Sequence, residues 1–320
     1  MRFSRTVSWV AWRQQRFQIL VGLLLLGCMA CGLLVLHMAV NASASDLGLS
    51  ECGTAFGQTC NPIAVSELVG RYGEVASGTT LTLLAAPPLF GALSGAPLFA
   101  REYENGTQVL ALSQSVSVVR WWSTKFAIAA LPVALGMLIV GVVSYIAFSG
   151  TSGVASFDII TPGFETRGLV PCVYFLLAFS VGATVGVLVR NTAAAVGLTV
   201  VVYAVLLLVI GGVIRPHYVA PQTVTMPLTE ALEGGPGADD WVLSEQFTDS
   251  EGRPVMASVA TCGSQSIGVC FSNQGVAFEQ FVYHPASRFW KLQGVESLVL
   301  IVFCAVIYAV GLVRLLVRVI

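Results

Sequence analysis

The side chains that could do chemistry in this 320-residue chain are few and scattered. Its three histidines, His37, His217 and His284, include no pair at metal-ligand spacing, and there is no His-Glu-x-x-His. A loop that cradles phosphate needs Gly-x-x-x-x-Gly-Lys-Ser/Thr. The nearest stretch, Gly73 to Thr80, lacks the lysine that reaches the phosphates. No Gly-x-Ser-x-Gly elbow presents a nucleophile. Glu296 is an acid inside a long apolar run, where ionisable groups are costly and usually functional. It lies near one end of that run, so its carboxylate either reaches the headgroups or serves as a gate. Two cysteine pairs share one separation, Cys52 with Cys60 and Cys262 with Cys270. They read as two local disulfides, with free thiols as the other reading. Cys28 and Cys31, one helical turn apart, and Cys304 read as small apolar packing residues.

The elements that position these groups follow from composition. Hydrophobic residues make up 56% of the chain and charged residues 10%. A soluble domain carries roughly 25% charged residues, so a chain this poor in charge cannot cover a water-facing surface. A bilayer core needs roughly 20 apolar residues per helix. Six stretches qualify: 17–40, 79–100, 126–148, 168–189, 193–214 and 294–313. None alternates with period two, so the spans are helices and not barrel strands. The first is longer than the apolar region of a signal peptide and reads as retained. The expected fold is an all-α membrane protein, one domain over 1–320.

Six spans place both termini on one side. On that side the short segments hold Arg2, Arg5, Arg13, Arg16, Arg101, Arg120, Lys125, Arg190, Arg314 and Arg318, against only Glu102 and Glu104. The other side holds six basic residues against fifteen acids. Cationic residues next to helix ends mark the cytoplasmic face, so both termini are expected inside. Residues 41–78 and 215–293 then form two long extracellular loops, each with one cysteine pair in an oxidising compartment. Residues 101–125 form the one sizeable cytoplasmic loop. Gly91–Gly95 and Gly182–Gly186 are small-residue motifs that let helices approach closely, within one chain or between two.

The 101–125 loop is dense in acids, amides and tryptophans. Val109, Leu112, Val116 and Val119 recur at helical spacing and form an apolar stripe. Trp121 and Trp122 mark a headgroup level, with Arg120 and Lys125 toward an anionic leaflet. Phe289 and Trp290 suit the same role at the outer surface. Glu102 and Glu104 would be repelled by anionic lipid, which favours a face turned to the cytosol.

Several blocks resemble ATP-binding-cassette (ABC) type-2 permeases, particularly the small actinobacterial six-span kind. They are Gly91 with Gly95-Ala96-Pro97-Leu98, Arg101-Glu102, Glu104-x-Gly106-Thr107, Gln114-Ser115-Val116, Arg120-Trp121 and Lys125. Further matches are Trp9, Trp12-Arg13-Gln14-Gln15-Arg16, and Tyr283-His284-Pro285 through Phe289-Trp290, Gln293 and Glu296. The resemblance implies a permease subunit of an exporter in the bacterial cell membrane, not catalytic itself. A separate ATPase subunit, in two copies, binds ATP and magnesium. Residues 1–16 become an amphipathic connecting helix, and 101–125 carries a coupling helix that docks on the ATPase. Docking falls to Glu102, Glu104, Thr107, Gln108 and Gln114, and anchoring to Arg120, Trp121 and Lys125. A second permease chain, identical or homologous, pairs near the second and fifth spans. A different class of function is a non-transporting accessory or immunity protein that binds a peptide or toxin through its outer loops. A membrane-embedded enzyme would need convergent ionisable groups within the spans, and the sequence shows none. The apolar spans favour a lipophilic cargo.

Overall fold

The computed structural model describes residues 2–49, 61–106, 117–149, 159–237 and 239–319. The protein is mostly helical, and six helices are long and apolar enough to cross a membrane, as expected. We label the membrane helices α1 (Arg2–Asp46), α2 (Pro62–Glu104), α3 (Val118–Phe148), α4 (Val170–Val189) and α5 (Thr192–Val209), the last of which runs into a π-helical turn, Ile210–Ile214. The sixth span is the final helix, Phe289–Val319.

Several helix ends differ from the sequence reading; the expected 101–125 loop is shortened at both ends, because α2 runs to Glu104 and α3 begins at Val118, and the last span begins at Phe289. Residues 1–16 were expected as a separate amphipathic helix, but α1 is continuous from Arg2 through the first span. Residues 41–78 were expected as a loop, yet α1 continues to Asp46 and α2 begins at Pro62. Asn61 caps α2 by accepting from Ile63 N at 3.0 Å, and Pro62 suits the first helical position. At 1.5 Å per residue both helices are ~65 Å long, about twice a ~30 Å bilayer core. The excess forms a paired extension. Ala64, Leu68 and Ala76 join Val40 and Leu49 in one buried cluster, and Ser43 Oγ lies 2.8 Å from Tyr72 Oη.

The helices meet at two distinguishable ends. Gln18 of α1 bonds Leu93 O of α2, and further along α1 His37 lies 2.9 Å from Ala147 O of α3. The last helix places Tyr308 against Ser123 and Gly311 against Trp122. The start of α1, the end of α2, the start of α3 and the C-terminus therefore share one end, here the termini end.

Helix α4 is the central element, with most of its residues buried. It crosses α2 at glycines on both sides. A Cβ at Gly91 would stand 2.4 Å from Ala178 Cβ, and one at Gly95 the same distance from Phe179 O. In return, a Cβ at Gly182 would meet Ala96 N at 2.8 Å, and one at Gly186 would meet Ala96 O at 2.5 Å. The two small-residue motifs thus pack on each other within one chain.

The opposite end carries a folded unit the sequence reading did not contain. Four strands, β1 (Gln222–Pro227), β2 (Trp241–Thr248), β3 (Pro254–Val255) and β4 (Phe278–His284), form an antiparallel sheet in the order β1-β4-β2-β3. Two short helices cover it, α6 (Leu228–Gly234) and α7 (Ile267–Asn273), and the final helix is therefore α8. Their shared core is Leu228, Cys262, Cys270, Phe271 and Val276.

Cys262 and Cys270 form a disulfide inside this core. The other expected pair, Cys52 and Cys60, lies outside the described residues. Closing so short a loop restricts the unfolded chain, a contribution of about 2–3 kcal/mol. Replacing both Cys262 and Cys270 with serine is expected to speed hydrogen exchange across 222–284 while the membrane helices keep their protection. Exchange followed by mass spectrometry checks this.

Candidate functional site

Two buried ion pairs stand at opposite ends of the bundle. The first lies at the termini end. Lys125, near the start of α3, is only 3% exposed and pairs with Glu102 near the end of α2. Its ammonium also lies 3.4 Å from Leu98 O and within cation–π range of Phe99 and Trp121, at 5.4 and 5.1 Å. Beside it Phe99 stacks on Trp122 at 4.3 Å. The expected lipid-facing anchors therefore turn inward: Trp121 and Lys125 are buried, while Arg120 is exposed. Desolvation explains this. A lysine between an acid and aromatic faces keeps a partner, whereas an unpaired one would not tolerate burial.

Glu104 stays exposed and makes a different connection. Its Oε1 accepts from Thr192 N at 2.8 Å and its Oε2 from Thr192 Oγ1 at 2.7 Å. A carboxylate at a helix N-terminus satisfies free N–H groups and opposes the helix dipole. Asn191 completes the cap by accepting from Ala194 N at 2.9 Å. The end of α2 is thus bonded to the starts of both α3 and α5. Of the residues assigned to docking, Glu102 and Glu104 are engaged within the chain, and Thr107, Gln108 and Gln114 lie outside the described residues.

The second pair lies at the sheet end. Arg215 follows the π-helical turn of α5, a local widening that often accompanies functional positions. Its guanidinium binds Glu296 of α8 in bidentate fashion, Nε to Oε2 at 2.7 Å and Nη2 to Oε1 at 2.9 Å. Nη2 also lies 2.7 Å from Glu165 Oε1, and Nη1 donates to Thr161 Oγ1 at 3.2 Å. Thr161 donates to Glu165 Oε1 at 2.6 Å, and Tyr174 of α4 donates to Glu296 Oε1 at 2.8 Å. Phe164 covers the guanidinium at 4.2 Å. All three charged side chains are buried, so Glu296 does not reach the headgroups.

Glu165 and Thr161 belong to a turn, 159–169, that is buried from Gly163 to Gly168, exposed at Thr161, and leads into α4. Gln293, one turn before Glu296, binds it. Its Oε1 accepts from Leu169 N and Val170 N at 2.9 and 3.1 Å, and its Nε2 donates to Phe164 O and Arg167 O at 3.0 and 3.1 Å. Phe289, expected as an anchor, is buried between Tyr145 and Phe164, whereas Trp290 is 48% exposed at the edge of Tyr145. Arg167 is buried over the Phe148 ring. Burial pushes the Asp239 carboxyl up, and the positive charge of Arg167 opposes that rise.

Sequence reasoning missed Arg215 and Glu165 because both fell just outside the apolar windows, and it treated each as a loop charge. The available signal was the apolar and aromatic company of Glu165, with Ile159, Ile160 and Phe164 in a stretch too short to span.

Six apolar helices, a central glycine-packed crossing and buried charges near both ends define a multi-pass membrane protein. Residues 23–215 match the model of the family described as ABC-2 membrane transporter related. The chain belongs to that family, whose members are generally membrane components that work with an ABC ATPase. No curated protein and no solved structure matches the chain. The matched region includes Glu102, Lys125, Glu165, Tyr174 and Arg215, and ends before the sheet and Glu296.

Proposed function

We propose that this chain is the permease subunit of an ABC exporter, of the small six-span kind. It forms the translocation path with a second permease chain and is driven by a separate ATPase that supplies two nucleotide-binding copies. Both termini face the cytoplasm of a bacterial cell, and the sheet lies outside. The charge bias supports this orientation, because ten of the sixteen basic residues fall at or near the termini end.

The observation that carries the reading is the bonding at the end of α2. Glu102 pairs with Lys125 of α3, and Glu104 caps α5 through Thr192. A force applied to residues 105–117 therefore reaches three spans through short bonded contacts. We assign docking on the ATPase to Thr107, Gln108 and Gln114, and assign Glu102 and Glu104 to passing the movement on. An apolar groove of about 280 Å³ between α1, α2 and α3, edged by Gln15, Gln18 and Ser94, supports a lipophilic cargo.

The test uses the tagged full chain expressed in its own host. Replacing Thr107, Gln108 and Gln114 together with alanine is expected to lower ATPase co-purification at least tenfold with an unchanged melting temperature. Glu102→Lys is expected to weaken both, and Glu102→Lys with Lys125→Glu is expected to restore them. Retained co-purification in the triple variant would sink the docking assignment. The folded sheet unit also supports the second reading, an accessory protein that binds a peptide or toxin outside the cell. Failure of the wild-type chain to capture any ATPase would favour that one.

A further inference from the structure

The sheet at the far end of the bundle has two edges, and only one of them is protected. An exposed strand edge carries unpaired N–H and C=O groups, and folded proteins blunt it with short strands, charges, proline or a bulge. The β3 edge follows that rule. It is two residues long, contains Pro254, and is preceded by Arg253 in ion pairs with Asp249 and Glu251. The β1 edge does not. It is six residues long, ~20 Å of strand. None of residues 222–227 is charged, and the one proline is the last of them. Its register with β4 is unbroken. Gln222, Thr223 and Thr225 are exposed, and among the described residues no strand pairs with the outer side of β1.

The charge around this edge is one-sided. Residues 222–284 carry eight acids against a single basic residue, Arg253, which Asp249 and Glu251 already hold. Three of the acids lie on the elements next to β1. Glu230 follows it on α6, Glu279 stands opposite Met226 on β4, and Glu245 lies one strand further on. None of the three forms an ion pair among the described residues. Burial, and then the charge of Glu245, pushes the Glu279 carboxyl up, so a cation brought to it would be stabilised. At the end of β1 away from the membrane helices, a cleft of about 400 Å³ opens between α6 and α7, lined by Leu228, Leu232, Gly268, Ser272 and Val276.

We propose that the β1 edge binds an extended, basic peptide segment by strand addition. The main-chain groups of β1 supply the hydrogen bonds, and the acids select lysine and arginine. Glu245 and Glu279 share one face of the sheet with Val224 and Met226, so alternate side chains of the added strand carry the positive charges. A second copy of this chain is the poorer occupant, since its sheet would bring eight more acids to the edge. The placement outside the cell rests on the orientation proposed above. Binding at the edge is read with peptides and ATPase coupling by co-purification, so either can fail without the other.

The purified full chain in nanodiscs of uncharged lipid is titrated with a labelled peptide of alternating lysine and valine, and its amide exchange is followed by mass spectrometry. The peptide is expected to bind, to bind more weakly as salt rises, and to slow exchange in 222–227. A glutamate–valine peptide of the same length is expected to show no binding. A lysine–valine peptide with alternate amides methylated keeps the charge but cannot complete the ladder. It is expected to bind about tenfold weaker, the loss of about two main-chain bonds. Glu230→Gln with Glu245→Gln, both at exposed positions, is expected to lower the affinity of the lysine peptide several-fold and to flatten its salt dependence. If that variant fails to fold, the methylated and glutamate peptides test the same edge on the unaltered chain. No binding of the lysine peptide overturns the proposal. So does undiminished binding of the methylated peptide, or of the lysine peptide to the glutamine variant. Exchange in 222–227 that is already slow throughout in the free chain also overturns it, because a second copy or another part of the chain then holds the edge.

Discussion

Replacing Arg215 with leucine is expected to destabilise the protein by about 3–5 kcal/mol, the range for removing one partner from a buried ion pair. The guanidinium is the only group joining the end of α5 to both Glu296 of α8 and Glu165 of the 159–169 turn among the described residues. Without it Glu296 keeps one neutral hydrogen bond, from Tyr174, and Glu165 keeps one, from Thr161. Two buried acids would then lack any counter-charge. The loss should appear as a lower melting temperature in nanodiscs and as faster exchange in 159–170 and the first turns of α8. Arg215→Leu combined with Glu296→Leu should recover part of the loss, because an apolar replacement of a buried pair is often neutral or better. Unchanged melting in the single variant would show that the three side chains do not share one buried site.

The sequence made the spans legible and the sites only partly so, for physical reasons. Twenty apolar residues in a row have one stable outcome in lipid, so each apolar run lies in a helix, although α3 begins at Val118, eight residues before its run. The extensions of α1 and α2 were missed because polar residues dilute the apolar average there. The helical signal lay in spacing instead: Ala64, Leu68, Tyr72 and Ala76 recur every four residues and meet α1. The sheet was missed because glycine, proline and acids dominate 215–293, while its strands are short and interrupted by a bulge between Val242 and Ser244. The charged residues are the instructive case. Orientation assigned Lys125 to lipid and Arg215 to a loop by counting charges along the chain. Their partners, Glu102 and Glu296, lie 23 and 81 residues away, and only the packing of α2 on α3 and of both α5 and α8 on α4 brings them together. A single sequence carries no record of such pairs, whereas the glycine motifs carried a local one: a helix face with no side chain has to receive another helix.

That face sets up the second large effect. Gly95→Val is expected to prevent normal assembly of the bundle, with misfolded protein in place of a membrane-inserted, monodisperse species. A Cβ at position 95 would sit 2.4 Å from the carbonyl oxygen of Phe179 and 3.0 Å from its Cα, both backbone atoms that no rotamer change can move. Relief would require α2 and α4 to separate. Separation would also unload the reciprocal contacts of Gly182 and Gly186 with Ala96, on the axis of the whole structure. Overpacking of a tight core costs about 1–3 kcal/mol in ordinary cases. Here the obstacle is backbone on both sides, so the effect should exceed that range. Gly197→Val is the matched control, because a Cβ there meets nothing within 4 Å and the substitution leaves the crossing alone. Size-exclusion chromatography of both variants separates the outcomes. Normal elution and melting of Gly95→Val would mean that α2 and α4 do not cross at this close approach. Loss of both variants alike would place the defect in insertion and not in packing.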